Sequence, residues 1–161
     1  MLEVRYVFEH GLRGERSTRL LRYLLAHGAD EISITVMALE DTLAPFADAF
    51  EDELGPYERP VATRRVLTGA GATESTRDVR LWTFNEASLA RILSFLDTGL
   101  FHCPAGPDGW LEDLTIYRRG ELALGLVSHE LAGVLRLTRQ EHADVAALDI
   151  PSEPTAEAIR Y

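Results

Sequence analysis

The chain reads as an α+β protein: a single domain in which helices pack on one face of a mainly antiparallel sheet and a three-stranded meander lies toward the C-terminus. Three observations lead there. Stretches of apolar–polar alternation interrupt stretches of helical spacing, in the order strand, helix, strand, helix, two strands, helix, three strands, helix. The run from Trp110 to Thr138 holds three alternating segments joined by short turns. With 161 residues, 46% of them apolar and 26% charged, the chain has the length and composition of one globular domain with a real core.

The elements follow in order. Leu2, Val4, Tyr6 and Phe8 alternate with Glu3 and Arg5 as a first strand. A helix from near Ser17 carries Leu20, Leu21 and Leu24 toward the core, and His27 and Gly28 are its C-terminal signals, the histidine complementing the helix dipole. Ile32, Ile34 and Val36 mark a second strand. The second helix, from near Asp41 or Thr42, has Leu43, Phe46, Ala47, Phe50 and Leu54 on one stripe, Pro45 in its first turn and Gly55-Pro56 at its end. Residues 61 to 67 read as a strand, Thr68 to Thr76 as a flexible loop, and Val79 to Phe84 as the next strand. Asn85 caps a helix with Leu89, Ile92, Leu93 and Leu96 at core spacing, ending near Gly99. Beyond the meander, Thr138 and Glu141 form a capping box for a last helix that Pro151 closes. The domain is expected over 1–150, with 151–161 as a mobile tail from which Ile159 and Tyr161 could dock.

The meander's register is set by its leucines. A three-residue turn at Arg118, Arg119 and Gly120 would place Ile116 opposite Leu122 and Leu114 opposite Leu124, with Leu135 and Leu137 continuing the same aliphatic face. The other face then carries Asp113, Thr115, Tyr117, Ala123, Gly125, His129, Val134 and Arg136. Alternation favours a solvated sheet surface there over a ligand floor. Glu112 falls on the leucine side, which requires a sheet edge or a bulge, because an unpartnered buried carboxylate is costly.

Composition excludes several functions. All 16 basic residues are arginine, so no lysine is present for a phosphate loop, a Schiff base or a protein-kinase site. Cys103 is the only cysteine, so no disulfide framework forms within the chain. A net charge of −10 argues against nucleic acid as a partner and is compatible with a basic protein. No apolar run approaches the ~20 residues of a membrane helix, and Met1 to Arg5 lacks a signal-peptide layout, so a cytoplasmic location without membrane attachment is expected.

Candidate chemistry is thin. His102, Cys103, Glu112, Asp113, His129 and Glu130 include the ligand types of a zinc site, but no Cys-x-x-Cys or His-x-x-x-His spacing joins them, and no metal or cofactor is expected. Cys103, His129 and Glu112 or Asp113 would suffice for thiol catalysis only if they converged. The Gly69-Ala-Gly-Ala stretch precedes a strand and lacks a lysine, which disfavours phosphate binding. Glu51, Asp52 and Glu53 crowd the C-terminal end of the second helix, where the dipole disfavours negative charge, and Arg59, Arg64 and Arg65 follow as candidate pairing partners.

These readings lean away from an enzyme. They favour an acidic protein-binding module of the inhibitor or immunity type, using Glu51, Asp52 and Glu53. The alternative is a small-molecule binder or small enzyme with a pocket near Trp110, Asp113, Tyr117 and His129, and Glu130 is a further candidate binding residue. A homodimer through the polar sheet face is a third expectation.

Overall fold

The computed structural model describes residues 4–9, 12–37, 44–68, 73–96, 99–100, 110–150 and 152–154, with only the backbone of 4–9, 44 and 110. The strands are β1 (Val4–Glu9), β2 (Glu31–Met37), β3 (Glu58–Thr68), β4 (Thr73–Thr83), β5 (Trp110–Arg118), β6 (Glu121–Val127), β7 (Ala132–Leu137) and β8 (Glu153–Pro154). The helices are α1 (Glu15–Ala26), α2 (Ala44–Leu54), α3 (Glu86–Phe95) and α4 (Arg139–Ala147). The described strands form one sheet in the order β3-β4-β2-β5-β6-β7-β1-β8, and every neighbouring pair is antiparallel.

All four helices bury their apolar stripes on the same side. Leu20, Leu21 and Leu24 of α1, Phe50 and Leu54 of α2, Leu89 and Ile92 of α3 and Val145 of α4 share one core with Ile32, Ile116, Leu124 and Leu135 of the sheet. The Phe50 and Trp82 rings stand nearly perpendicular with their centroids 5.5 Å apart, an edge-to-face arrangement that aromatic pairs prefer. The caps are those the sequence specifies. Asn85 exchanges hydrogen bonds with Ser88, Thr138 does so with Glu141, and His27 accepts the role of C-cap while its ring stacks on Tyr23 at 3.9 Å.

The meander is present, but its hairpin differs from the expected register. Arg118 faces Glu121 and Tyr117 faces Leu122, so the turn is the two residues Arg119 and Gly120, both at positive φ (55° and 79°), as a type I′ turn requires. Ile116 then pairs with Leu124, and the extra residue Ala123 makes a bulge in β6. Leu122 is thereby turned to the face opposite Leu124, and Leu137 lies beside Val4 of β1. A second bulge, in β5, brings Leu111 and Leu114 to the helix side and resolves the Glu112 problem: Thr115 faces Ser33 whereas Glu112 faces Thr35. Asp113 at the bulge has φ 50°.

The second face of the sheet is not solvated. Strands β3 and β4 are each 11 residues long, longer than the expected strands; the expected loop is in part strand from Thr73, and 69–72 lie outside the described residues. This hairpin curls across the meander, so that Val66, Leu67, Val79 and Leu81 enclose a second core with Tyr117, Leu122, Val127 and Val134. Gly125 is where the two layers come closest: an added Cβ there would lie 2.8 Å from Leu67 Cγ. The surface that alternation marks as polar is therefore the seat of the chain's own hairpin. Glu153 and Pro154 pair with Val7 and Tyr6 and extend the sheet by a short strand; 151 and 155–161 lie outside the described residues.

Candidate functional site

The acidic end of α2 is held from below by arginines of β4 and α3. Arg80 reaches both carboxylate oxygens of Glu51, with Nη2 at 2.5 Å from Oε2, and its Nε donates to Glu58 at 2.6 Å. Its guanidinium lies 5.0 Å from the Trp82 ring centroid, a cation–π distance. Hydrogen bonds to Glu58 and then Glu51 push Arg80 further above its usual pKa, and the Arg80 hydrogen bond holds Glu58 below the ordinary glutamate range. Arg91 pairs with Glu53 at 3.0 Å. The expected partners Arg59, Arg64 and Arg65 go elsewhere, because β3 runs along the far face of the sheet. Arg59 and Arg64 converge on Glu31, at 3.2 and 2.9 Å, and Arg65 lies 3.8 Å from Glu74.

Two acids on α2 are left outward. Asp48 and Asp52 are four residues apart, exposed, and without an ion pair among the described residues. Asp48 was not among the sequence candidates, although its i, i+4 spacing from Asp52 was readable. Glu51 and Glu53 remain partly accessible beside them, with side chains 39% and 45% exposed.

The meander candidates disperse. Tyr117 is fully buried in the second core, where desolvation pushes its phenol above its usual pKa. Asp113 is locked to the turn after β6: its N–H donates to Ser128 Oγ at 2.8 Å and its Oδ1 accepts from Ser128 N at 2.9 Å. His129, 61% exposed on that turn, is 3.8 Å from Glu130. Leu131 closes the turn in the left-handed region, at φ 52°. The Trp110 side chain, His102 and Cys103 lie outside the described residues. No group of three metal-ligating side chains converges among the described residues.

The polar pairs that do converge sit at the margins of the second core. Glu31, 6% exposed at its side chain, is shared by Arg59 and Arg64, and Glu74 is shared by Arg136 at 2.8 Å and Arg65. On the helix side, Arg118 of β5 meets Glu141 of α4 at 2.6 Å. Burial opposes ionisation of Glu141, yet the Thr138 backbone N–H and Arg118 together hold it below its ordinary pKa. Nearby, Tyr23 is pushed up to about 12 by burial and by its hydrogen-bond partner Asp144. No helix among the described residues is long and apolar enough to cross a membrane. The chain matches no protein-family model, no curated protein and no solved structure.

Proposed function

We propose that the protein is a non-enzymatic, acidic protein-binding module that recognises a basic protein through the outer face of α2. The observation that carries this reading is the pair Asp48 and Asp52, exposed on successive turns and unpaired among the described residues. Like charges at this spacing repel by roughly 0.2–0.5 kcal/mol, and a carboxylate in a last helical turn opposes the macrodipole by about 0.3–1 kcal/mol. A cationic partner relieves both. Glu51 and Glu53, fixed by Arg80 and Arg91, extend the acidic surface with accessible oxygens, and the net charge of −10 speeds encounter with a basic protein.

The small-molecule alternative needs Asp113, Tyr117 and His129 to line one cavity, and they have three different surroundings: a bulge clamp, a core and solvent. The binding reading is tested by pull-down at low salt from cells that encode the protein, using the native chain and the double variant Asp48→Arg/Asp52→Arg. A partner is expected with the native chain, lost on charge reversal and released by added salt. Recovery of no partner, or equal recovery by both chains, overturns the reading.

A further inference from the structure

We propose that the β3–β4 hairpin is a strap that opens as a unit, uncovering the second face of the sheet while the helix-covered core stays closed. Its backbone attachment is short. Among the described residues, β4 joins β2 only through Glu31 with Thr83 and Ile32 with Trp82, prolonged by the Phe84 N–H donating to the Asp30 carbonyl at 2.9 Å. Past Trp82 the hairpin leaves β2 and crosses the meander; β3 lies against β6 without a shared ladder among the described residues.

Side chains therefore hold the crossing. Leu67 fills the notch at Gly125, and the second core is built from strand residues alone; Arg80, beside the hinge, ties β4 to Glu51 of α2 and stays with the base of the hairpin. Two carboxylates act as latches, one at each end. Glu31 holds Arg59 and Arg64 near the hinge, and Glu74 holds Arg136 of β7 and Arg65 toward the tip. The two latches differ in kind. Glu31 stays on β2 and holds the hairpin's Arg59 and Arg64 with its side chain 6% exposed, whereas Glu74 travels with the hairpin and holds Arg136 of β7, the pair being 19% and 27% exposed and within reach of solvent screening.

Opening along this seam breaks the second core, the Glu74–Arg136 pair and the Glu31–Arg64 pair but leaves the main core intact, the requirement for a sub-global opening distinct from unfolding. It gives the molecule a conditional apolar surface on β5–β7 whose exposure rises with ionic strength.

Neighbouring residues of β7 report the two faces separately: Val134 lies in the second core, Leu135 in the main core, and both are fully buried. In a Cys103→Ser background, Val134→Cys and Leu135→Cys are each treated with a thiol reagent without denaturant. Val134→Cys is expected to react at least ~10-fold faster than Leu135→Cys. Adding Glu74→Gln, or raising the salt, is expected to accelerate the former several-fold and leave the latter unchanged. Equal rates at both positions in every background would mean that the faces open only together, and would overturn the proposal. The unsubstituted chain provides the second measurement. A detached two-stranded hairpin is marginal, so amides of the β3–β4 ladder should exchange faster than those of the β5–β6 ladder, and equal protection overturns the strap as well.

Discussion

Gly125→Ala tests the close packing of the hairpin on the meander. The residue's φ is in the ordinary range, so alanine meets no backbone penalty, and its effect is steric. The added Cβ would lie 2.8 Å from Leu67 Cγ, 3.0 Å from Leu67 Cδ1 and 3.3 Å from Leu122 Cδ1. Carbon atoms rest at about 3.5–4.0 Å, so Leu67 and the added Cβ must part by roughly 0.7–1.2 Å. Overpacking of this kind costs ~1–3 kcal/mol. Alanine offsets about 0.4–1 kcal/mol of that by restricting the unfolded chain, which leaves a net loss of roughly 0–2.6 kcal/mol. Leu67→Ala removes the colliding group and costs about 2–5 kcal/mol alone. The double variant is expected to be more stable than the sum of the two losses by at least ~1 kcal/mol, well outside the ~0.5 kcal/mol scatter of independent sites. Equilibrium urea unfolding of the four chains measures this. Additivity within that scatter, or a stabilising Gly125→Ala, would refute the packing of Leu67 into the Gly125 notch.

Two further substitutions probe the polar contacts. Ser128→Ala leaves the half-buried Asp113 N–H without the hydroxyl it meets at 2.8 Å, and a loss of about 1–3 kcal/mol in urea unfolding is expected. Glu141→Gln retains an oxygen for the Thr138 N–H but removes the charge facing Arg118. Because the folded pKa of Glu141 lies below its ordinary 4.5, the stability it contributes is complete above 4.5 and is lost as pH falls through the depressed value. The native chain should therefore exceed Glu141→Gln in stability at pH 7 and converge on it in acid; a difference independent of pH contradicts stabilisation of the charged carboxylate by the Thr138 N–H and Arg118.

Local rules made much of the helix side legible. Pro45 fixes the start of α2 because only a first turn tolerates it, and Asn85 and Thr138 mark the true caps of α3 and α4. The apolar stripes of α1, α2 and α3 also report which side each buries, whereas α4 turns Val145 inward and leaves Ala143, Ala146 and Ala147 exposed. The meander is less transparent, since a bulge changes the parity of a strand without changing its composition. Leu122 and Leu124 look alike in the sequence, and only Ala123 bulging between them sends one to each core. Arg119 carried the missed signal: with Gly120 it supplies the two positive-φ positions of a two-residue turn, but arginine is an uncommon occupant of that conformation.

Long-range pairing was the least legible link, and it changes what the charges can do. Arginines close in sequence to Glu51, Asp52 and Glu53 are on β3, which crosses to the far side of the sheet, so the chain's path separates them from α2. Arg80 and Arg91 reach these acids because β4 returns beneath α2 and α3 packs beside it. The consequence is selective neutralisation. Glu51 and Glu53 are anchored, while Asp48 and Asp52 stay outward on a helix whose opposite face is fixed by Phe50 and Leu54 in the main core. On the proposed reading, an acidic surface on a helix anchored in the core would lose little conformational entropy on binding beyond that of its own side chains, so electrostatic attraction there would be offset less than on an unanchored segment.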